Sequence, residues 1–206
     1  MNKIGKIIIG IVLLLVVVGL GLFCWQKWQQ KQEESLGYVQ FNEFAKQELN
    51  NEVYFENKES GLRFKVPAGW TPTVSQLASV ALISPDFKPF KDNPSAASVP
   101  ATGCWIGVST KKTLQDDSDY SMVRNYLTYQ NFINREDKKY KIIDLSGKKL
   151  LETDYSINNE DNIGSVTTIE YVGKNELYSF TSYFFGKDHE SCSQSFDDFL
   201  KTISIK

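Results

Sequence analysis

Between Ile7 and Trp25 the chain reads IIIGIVLLLVVVGLGLFCW, with no charged residue anywhere in the run. As a helix rising about 1.5 Å per residue, this segment spans about 28 Å, close to the thickness of a bilayer's hydrocarbon core. A run of that length sets the organisation expected for everything around it. Residues 1–6 form a cytoplasmic N-terminus, 7–25 a transmembrane signal anchor, 26–50 a juxtamembrane stalk or helix, and 51–206 a domain outside the cytoplasm.

Other N-terminal devices fit less well. Lys3 and Lys6 resemble the positive start of a secretory signal peptide, but such peptides carry an apolar core of only about 7–15 residues and end at a small-x-small site. Gly19-Leu20-Gly21 is a poor match to that site. Cys24 follows Leu22 and Phe23 where a lipoprotein anchor needs small residues, and the run lacks the glutamate of pilin N-termini. Lys3 and Lys6 on one flank nearly balance Lys27 and Lys31 on the other, so the Lys/Arg bias alone leaves orientation open. Signal anchors that translocate large C-terminal domains, and the cysteines treated below, set the expectation of a domain facing away from the cytoplasm.

Residues 51–206 carry 18 Lys and Arg against 21 Asp and Glu, a formal charge of −3 without a dense basic run. Phosphate neutralisation needs clustered cations, so no nucleic-acid partner is expected. The chain is 41% hydrophobic and 13% aromatic, enough for one well-packed domain.

Along that domain, Tyr38, Phe41, Phe44 and Leu49 sit near helical spacing and predict a short amphipathic helix, either lying on the membrane surface or, as its few basic residues favour, docked on the domain. Val53–Phe55 and Leu62–Val66 predict a hairpin around Lys58-Glu59-Ser60-Gly61, with Leu62, Phe64 and Val66 on one face and Arg63 and Lys65 on the other. Pro67 and Gly69 stop the strand and let Trp70 fold back as a lid. Further strands are predicted at Val80–Ile83, Cys104–Thr110, Tyr140–Leu145, Lys149–Ile157, Ser165–Val172 and Leu177–Phe185. The last four form an antiparallel meander joined by Ser146-Gly147, Asn158–Gly164 and Gly173-Lys174-Asn175. One helix is predicted from Asp117 or Ser118 to about Asn134, buried along Met122, Tyr126, Tyr129 and Ile133. A second starts at Ser191, where Ser191 and Gln194 form a capping-box pattern, and buries Phe196, Phe199, Leu200 and Ile203. These elements make an α+β domain built on a mostly antiparallel β-sheet flanked by helices.

The stretch Glu56–Trp70, ENKESGLRFKVPAGW, is similar to the opening of PsbP-like domains. The segment Ser195–Ile203, SFDDFLKTI, resembles their closing amphipathic helix. The resemblance implies an α-β-α sandwich, the fold of an extrinsic photosystem II subunit and of many anchored bacterial proteins. It implies no catalytic residue and no cofactor, and the calcium site of some relatives maps to no residue here.

Cys104 and Cys192 both point toward the core, as a disulfide or as two buried thiols; a bridge would close a loop of about 89 residues. Alternatively Cys192, in the first turn of a helix and three residues from His189, suits a thiol nucleophile. Asp116-Asp117-Ser118-Asp119 and Asn158–Asn162 offer oxygens without EF-hand spacing and read as a cap and a hairpin loop, so no metal is expected. The Pro/Ser/Ala-rich loop 86–103 is long enough to be functional. Phe87, Phe90 and Trp105 are its expected partner contacts, with padding over the sheet as the competing role. The function expected is a single-pass membrane protein presenting a non-enzymatic domain to an envelope or membrane protein. Small-ligand or peptide binding in a cleft beside loop 86–103 is the alternative, and a thiol enzyme using Cys192 and His189 the third reading.

Overall fold

The computed structural model describes residues 37–75, 78–89, 100–113, 118–130, 132, 138–159, 162–185 and 189–206. The apolar run Ile7–Trp25 lies outside them, as do Phe90, Asp116, Asp117, Ile133, Glu160 and Asp161. Among the described residues no helix is long and apolar enough to cross a membrane.

The domain begins with strands. β1 (Ala45–Leu49) and β2 (Glu52–Asn57) pair antiparallel, and Leu49 stands opposite Glu52. The two residues between them, Asn50 and Asn51, have φ of 53° and 65°. Two central residues at positive φ make the turn whose twist matches a hairpin, and asparagine tolerates that conformation. The helix expected through Leu49 is therefore replaced by a 3-10 turn at Phe41–Glu43 followed by β1. Phe41 and Phe44 still reach the core, where their rings meet Phe55 and Phe64 at 5.7 and 5.9 Å, whereas Leu49 is exposed.

β3 (Leu62–Lys65) follows the predicted hairpin, with Leu62 and Phe64 buried and Arg63 and Lys65 half-exposed. Its turn is held from three sides. Asn57 Oδ1 accepts the Ser60 N–H (2.8 Å), Tyr178 donates its hydroxyl to the Ser60 carbonyl (2.5 Å), and the Lys206 N–H reaches the Gly61 carbonyl (3.2 Å). Trp70 packs half-buried on the core. The C-terminal β13 (Ser204–Ile205) pairs with β3, giving a four-stranded sheet in the order β1-β2-β3-β13.

A second sheet of seven strands carries the fold. From one edge it runs β4 (Thr71–Thr73), β5 (Val80–Ile83), β8 (Trp105–Lys112), β12 (Glu176–Phe185), β11 (Asn162–Val172), β10 (Lys148–Asn159) and β9 (Lys138–Leu145), with antiparallel neighbours throughout. β6 (Lys88–Pro89) and β7 (Pro100–Thr102) form a small separate pair. The meander is the predicted one with longer strands: Asn159 pairs with Asn162, where a loop over Asn158–Gly164 is expected.

Alternation along the strands sends side chains to two faces. The inner face packs on the four-stranded sheet and on α2 (His189–Leu200), uniting Phe64, Ile106, Val108, Phe180, Phe184, Phe196 and Phe199 in one core. Ser191 is the third residue of this helix and is exposed, so the expected start shifts back to His189. The outer face carries α1 (Ser118–Tyr129), whose Val123 is buried against Leu151 and Leu177 of the sheet. The stripe expected on α1 is met at Tyr126, which packs half-buried on the sheet, and otherwise turned aside: Tyr120 and Val123 are buried, while Met122 and Tyr129 are 46% and 67% exposed. Tyr120 sets this orientation by donating its hydroxyl to the Gly173 carbonyl (2.9 Å). The helix stops when Gln130, at φ 53°, gives its N–H to the Tyr126 carbonyl.

Candidate partner-binding site

Loop 86–103 is anchored at its base. Ser84 Oγ accepts the Cys104 N–H (2.8 Å) and donates to Asp86 (2.6 Å), while the Phe87 N–H bonds the Ser84 carbonyl (3.1 Å). Gly103, at φ +78°, lies so close to Phe87 that a Cβ would stand 2.7 Å from its Cα, so only glycine fits. β6 and β7 then zip the loop's two ends together.

Of the three expected contacts on this loop, Phe87 is half-buried and Phe90 lies outside the described residues. Trp105 is only 2% exposed, its ring 5.0 Å from Tyr183 and laid over Gly107, where a Cβ would collide with it. Internal packing thus uses the indole, which is not displayed to a partner.

Cys104 and Cys192 are joined, with Sγ atoms 2.03 Å apart and Cα atoms 5.3 Å apart. The bond ties the start of β8 to α2 through the inner core. Cys192 then has no thiolate to offer as a nucleophile. Among the described residues no group of three His, Cys, Asp or Glu side chains is placed to hold a metal.

Glu170 on β11 is a conspicuous carboxyl. It stands opposite Leu151 and Ser179 on the outer face. Burial, with a smaller contribution from Asp119, pushes it up to about 7, against a small opposing effect of Lys138. The Lys138 ammonium lies 5.7 and 5.6 Å from the rings of Tyr140 and Tyr155. Thr168 and Thr181 bring their hydroxyls to 3.2 Å on the same face.

A cleft of ≈ 330 Å³, lined by no residue of loop 86–103, lies between Leu145, Ser146, Lys148 and Leu150 of the β9–β10 hairpin and Ile203, Ser204 and Ile205 around β13. Ser146 and Gly147, at φ 55° and 78°, make the tight turn that forms one wall. Lys148 is the charged residue of the lining, its ammonium 5.0 Å from the centre of the Tyr171 ring. Sequence reasoning missed this place because Ile203 reads as the last residue of a helical stripe. The alternation Thr202-Ile203-Ser204-Ile205 was the available signal of a short strand.

No family model matches the chain, and no curated protein matches it. Solved structures do. The chain is similar to a cyanobacterial PsbP (CyanoP) from Synechocystis, at 12% identity and a TM-score of 0.47 over 74% of this chain and 91% of that one. It is similar to a protein of Bacteroides thetaiotaomicron at 9% identity and 0.46, covering 71% of this chain and 45% of that one. It is also similar to LpqN of Mycobacterium tuberculosis, described as involved in cell envelope biogenesis, at 12% identity and 0.45, covering 69% and 83%. The structural neighbours thus include a PsbP protein, and no residue role passes from any of them to this chain.

Proposed function

We propose that this chain is a single-pass membrane protein whose run at residues 7–25 tethers a domain outside the cytoplasm, where the domain binds an envelope or membrane protein and performs no chemistry itself. The observation that carries this reading is the Cys104–Cys192 bond. Structural disulfides persist in oxidising compartments and are rare in the cytosol. A bilayer-length apolar run ahead of a disulfide-bonded domain supports tethering on the oxidising side. Loss of the free thiol at Cys192 also removes the one nucleophile suggested by the sequence.

Two measurements test the reading. Protease added to spheroplasts should digest the domain and leave the membrane-held N-terminus, and a protected domain would overturn the orientation. Alkaline carbonate should leave the full-length chain in the membrane pellet; release of a chain that still carries residues 7–25 would remove the tether.

A further inference from the structure

We infer that the cleft between the β9–β10 turn and β13 receives an extended, acidic-apolar peptide segment of the partner, which adds as a strand beside β13. This rests on the partner-binding reading and names the place and chemistry of contact.

Three observations converge on this occupant. First, β13 is the last strand of the four-stranded sheet and β9 the last strand of the seven-stranded one, and the cleft draws its walls from both. Second, among the described residues β13 has backbone groups left over. The Lys206 N–H goes to Gly61, and Ser204 pairs with Arg63. Alternation along an antiparallel ladder then turns the N–H and C=O of Ile205 away from β3. An exposed edge with unpaired backbone groups is a template for another strand. Third, the half-exposed Leu145 and Ile205, backed by the buried Leu150 and Ile203, offer an apolar seat for a side chain of that strand, and Lys148 at the same cleft favours a neighbouring carboxylate.

Charge decides between a foreign strand and a second copy. Among the described residues the longest edge strand, β9, carries Lys138, Lys139 and Lys141 against the single Asp144. Bringing that edge to Lys148 would set like charges together, whereas an acidic segment is complementary.

The test selects random nine-residue phage-displayed peptides on the full-length, disulfide-bonded chain in detergent. Enriched peptides should alternate apolar and polar residues and include Asp or Glu. Methylating one backbone nitrogen of a synthetic copy should weaken binding at least about tenfold. Ile205→Pro removes the outward N–H without touching the bonds to β3, and Lys148→Glu reverses the charge; each should also weaken binding at least about tenfold. Ser204→Trp, which crowds the cleft, replaces Ile205→Pro if that variant does not fold. No enrichment, basic or proline-rich winners, or binding indifferent to these variants would overturn the inference. So would dimerisation of the chain that Ile205→Pro abolishes, which would give the edge to a second copy. Crosslinks from the native membrane to some other surface of the domain would leave partner binding standing and remove only the cleft.

Discussion

The two faces of the seven-stranded sheet are built from the same strands and hold together by different means. On the inner face, rings follow one another through Phe55, Phe64, Phe199 and Phe180 at centroid spacings of 5.9, 5.8 and 6.4 Å, and a disulfide crosses the same layer. The apolar cluster under α1 has only Val123, Leu151 and Leu177 fully buried, with Tyr126, Tyr140 and Phe132 half-exposed at its margin. Period-2 alternation buries residues on both sides of a sheet but does not make the sides equal. The inner face is ring-packed and covalently tied; the outer one accommodates a carboxyl, paired hydroxyls and a lysine lying against two rings.

Breaking the inner face should therefore have the largest effect. Replacing Cys104 and Cys192 together by serine removes a link across 88 positions of sequence. The chain-entropy relation assigns such a loop about 4–5 kcal/mol. Urea unfolding of the double variant should show a loss of that order, while a loss below about 1 kcal/mol would mean that the aromatic layer alone holds α2 in place. Next, Phe64→Ala should cost about 3–5 kcal/mol, because a ring fully enclosed by three others leaves a cavity. Val123→Ala, on the outer face and just as buried, should cost about 1–2 kcal/mol because less apolar volume is lost. Equal losses would erase the distinction.

The same contrast explains what could be read from sequence. Leu62, Phe64, Phe196 and Phe199 declare the inner face because their spacing has one apolar solution. On α1 two stripes share Tyr126, which packs on the sheet, and apolarity alone adds Met122 and Tyr129 to it. Tyr120 decides for the other through a hydroxyl bond to a carbonyl 53 residues away, which local pattern cannot show. Asn50-Asn51 and Ser146-Gly147 form the same kind of turn, yet only the second was legible. Glycine announces positive φ, whereas two asparagines inside a run with helical spacing do not. The cleft was hidden for a related reason: its walls come from residues 145–150 and 203–205, and their meeting depends on where the two sheets end.

Glu170 turns the comparison into a pH dependence. Its folded-state value of about 7 lies above the ordinary 4.5, so the folded chain holds this proton more tightly than the unfolded one. Stability from this group is complete below about pH 4.5 and is lost as pH rises through about 7. The groups around it are Asp119 on α1, which opposes ionisation, Lys138 on β9, which favours it, and Tyr155 on β10, whose own hydroxyl is raised mainly by burial. Glu170→Gln should stabilise the domain at pH 8 by about 1–3 kcal/mol and leave it nearly unchanged at pH 4.5. Thermal unfolding of both proteins across that range measures the difference. A variant that is less stable at pH 8 would show that the ionised carboxyl has a favourable partner in the folded chain.

The smallest effects belong to the side of α1 that faces away from the sheet. Tyr129 and Met122 are 67% and 46% exposed, and truncating such residues to serine should change stability by no more than about 0.5 kcal/mol. Tyr120→Phe, on the packed side of the helix, should cost about 1 kcal/mol, since the half-buried Gly173 carbonyl loses a donor. The pair of results reports which stripe of the helix is packed, because the stripe favoured by apolarity predicts the reverse order. A Tyr129→Ser loss of 2 kcal/mol would be too large for an exposed ring and would place α1 the other way round over Leu151 and Leu177. An unchanged Tyr129→Ser variant with a weakened Tyr120→Phe variant fixes the helix by its single buried hydroxyl, and the outer face then depends on a polar contact where the inner one depends on rings.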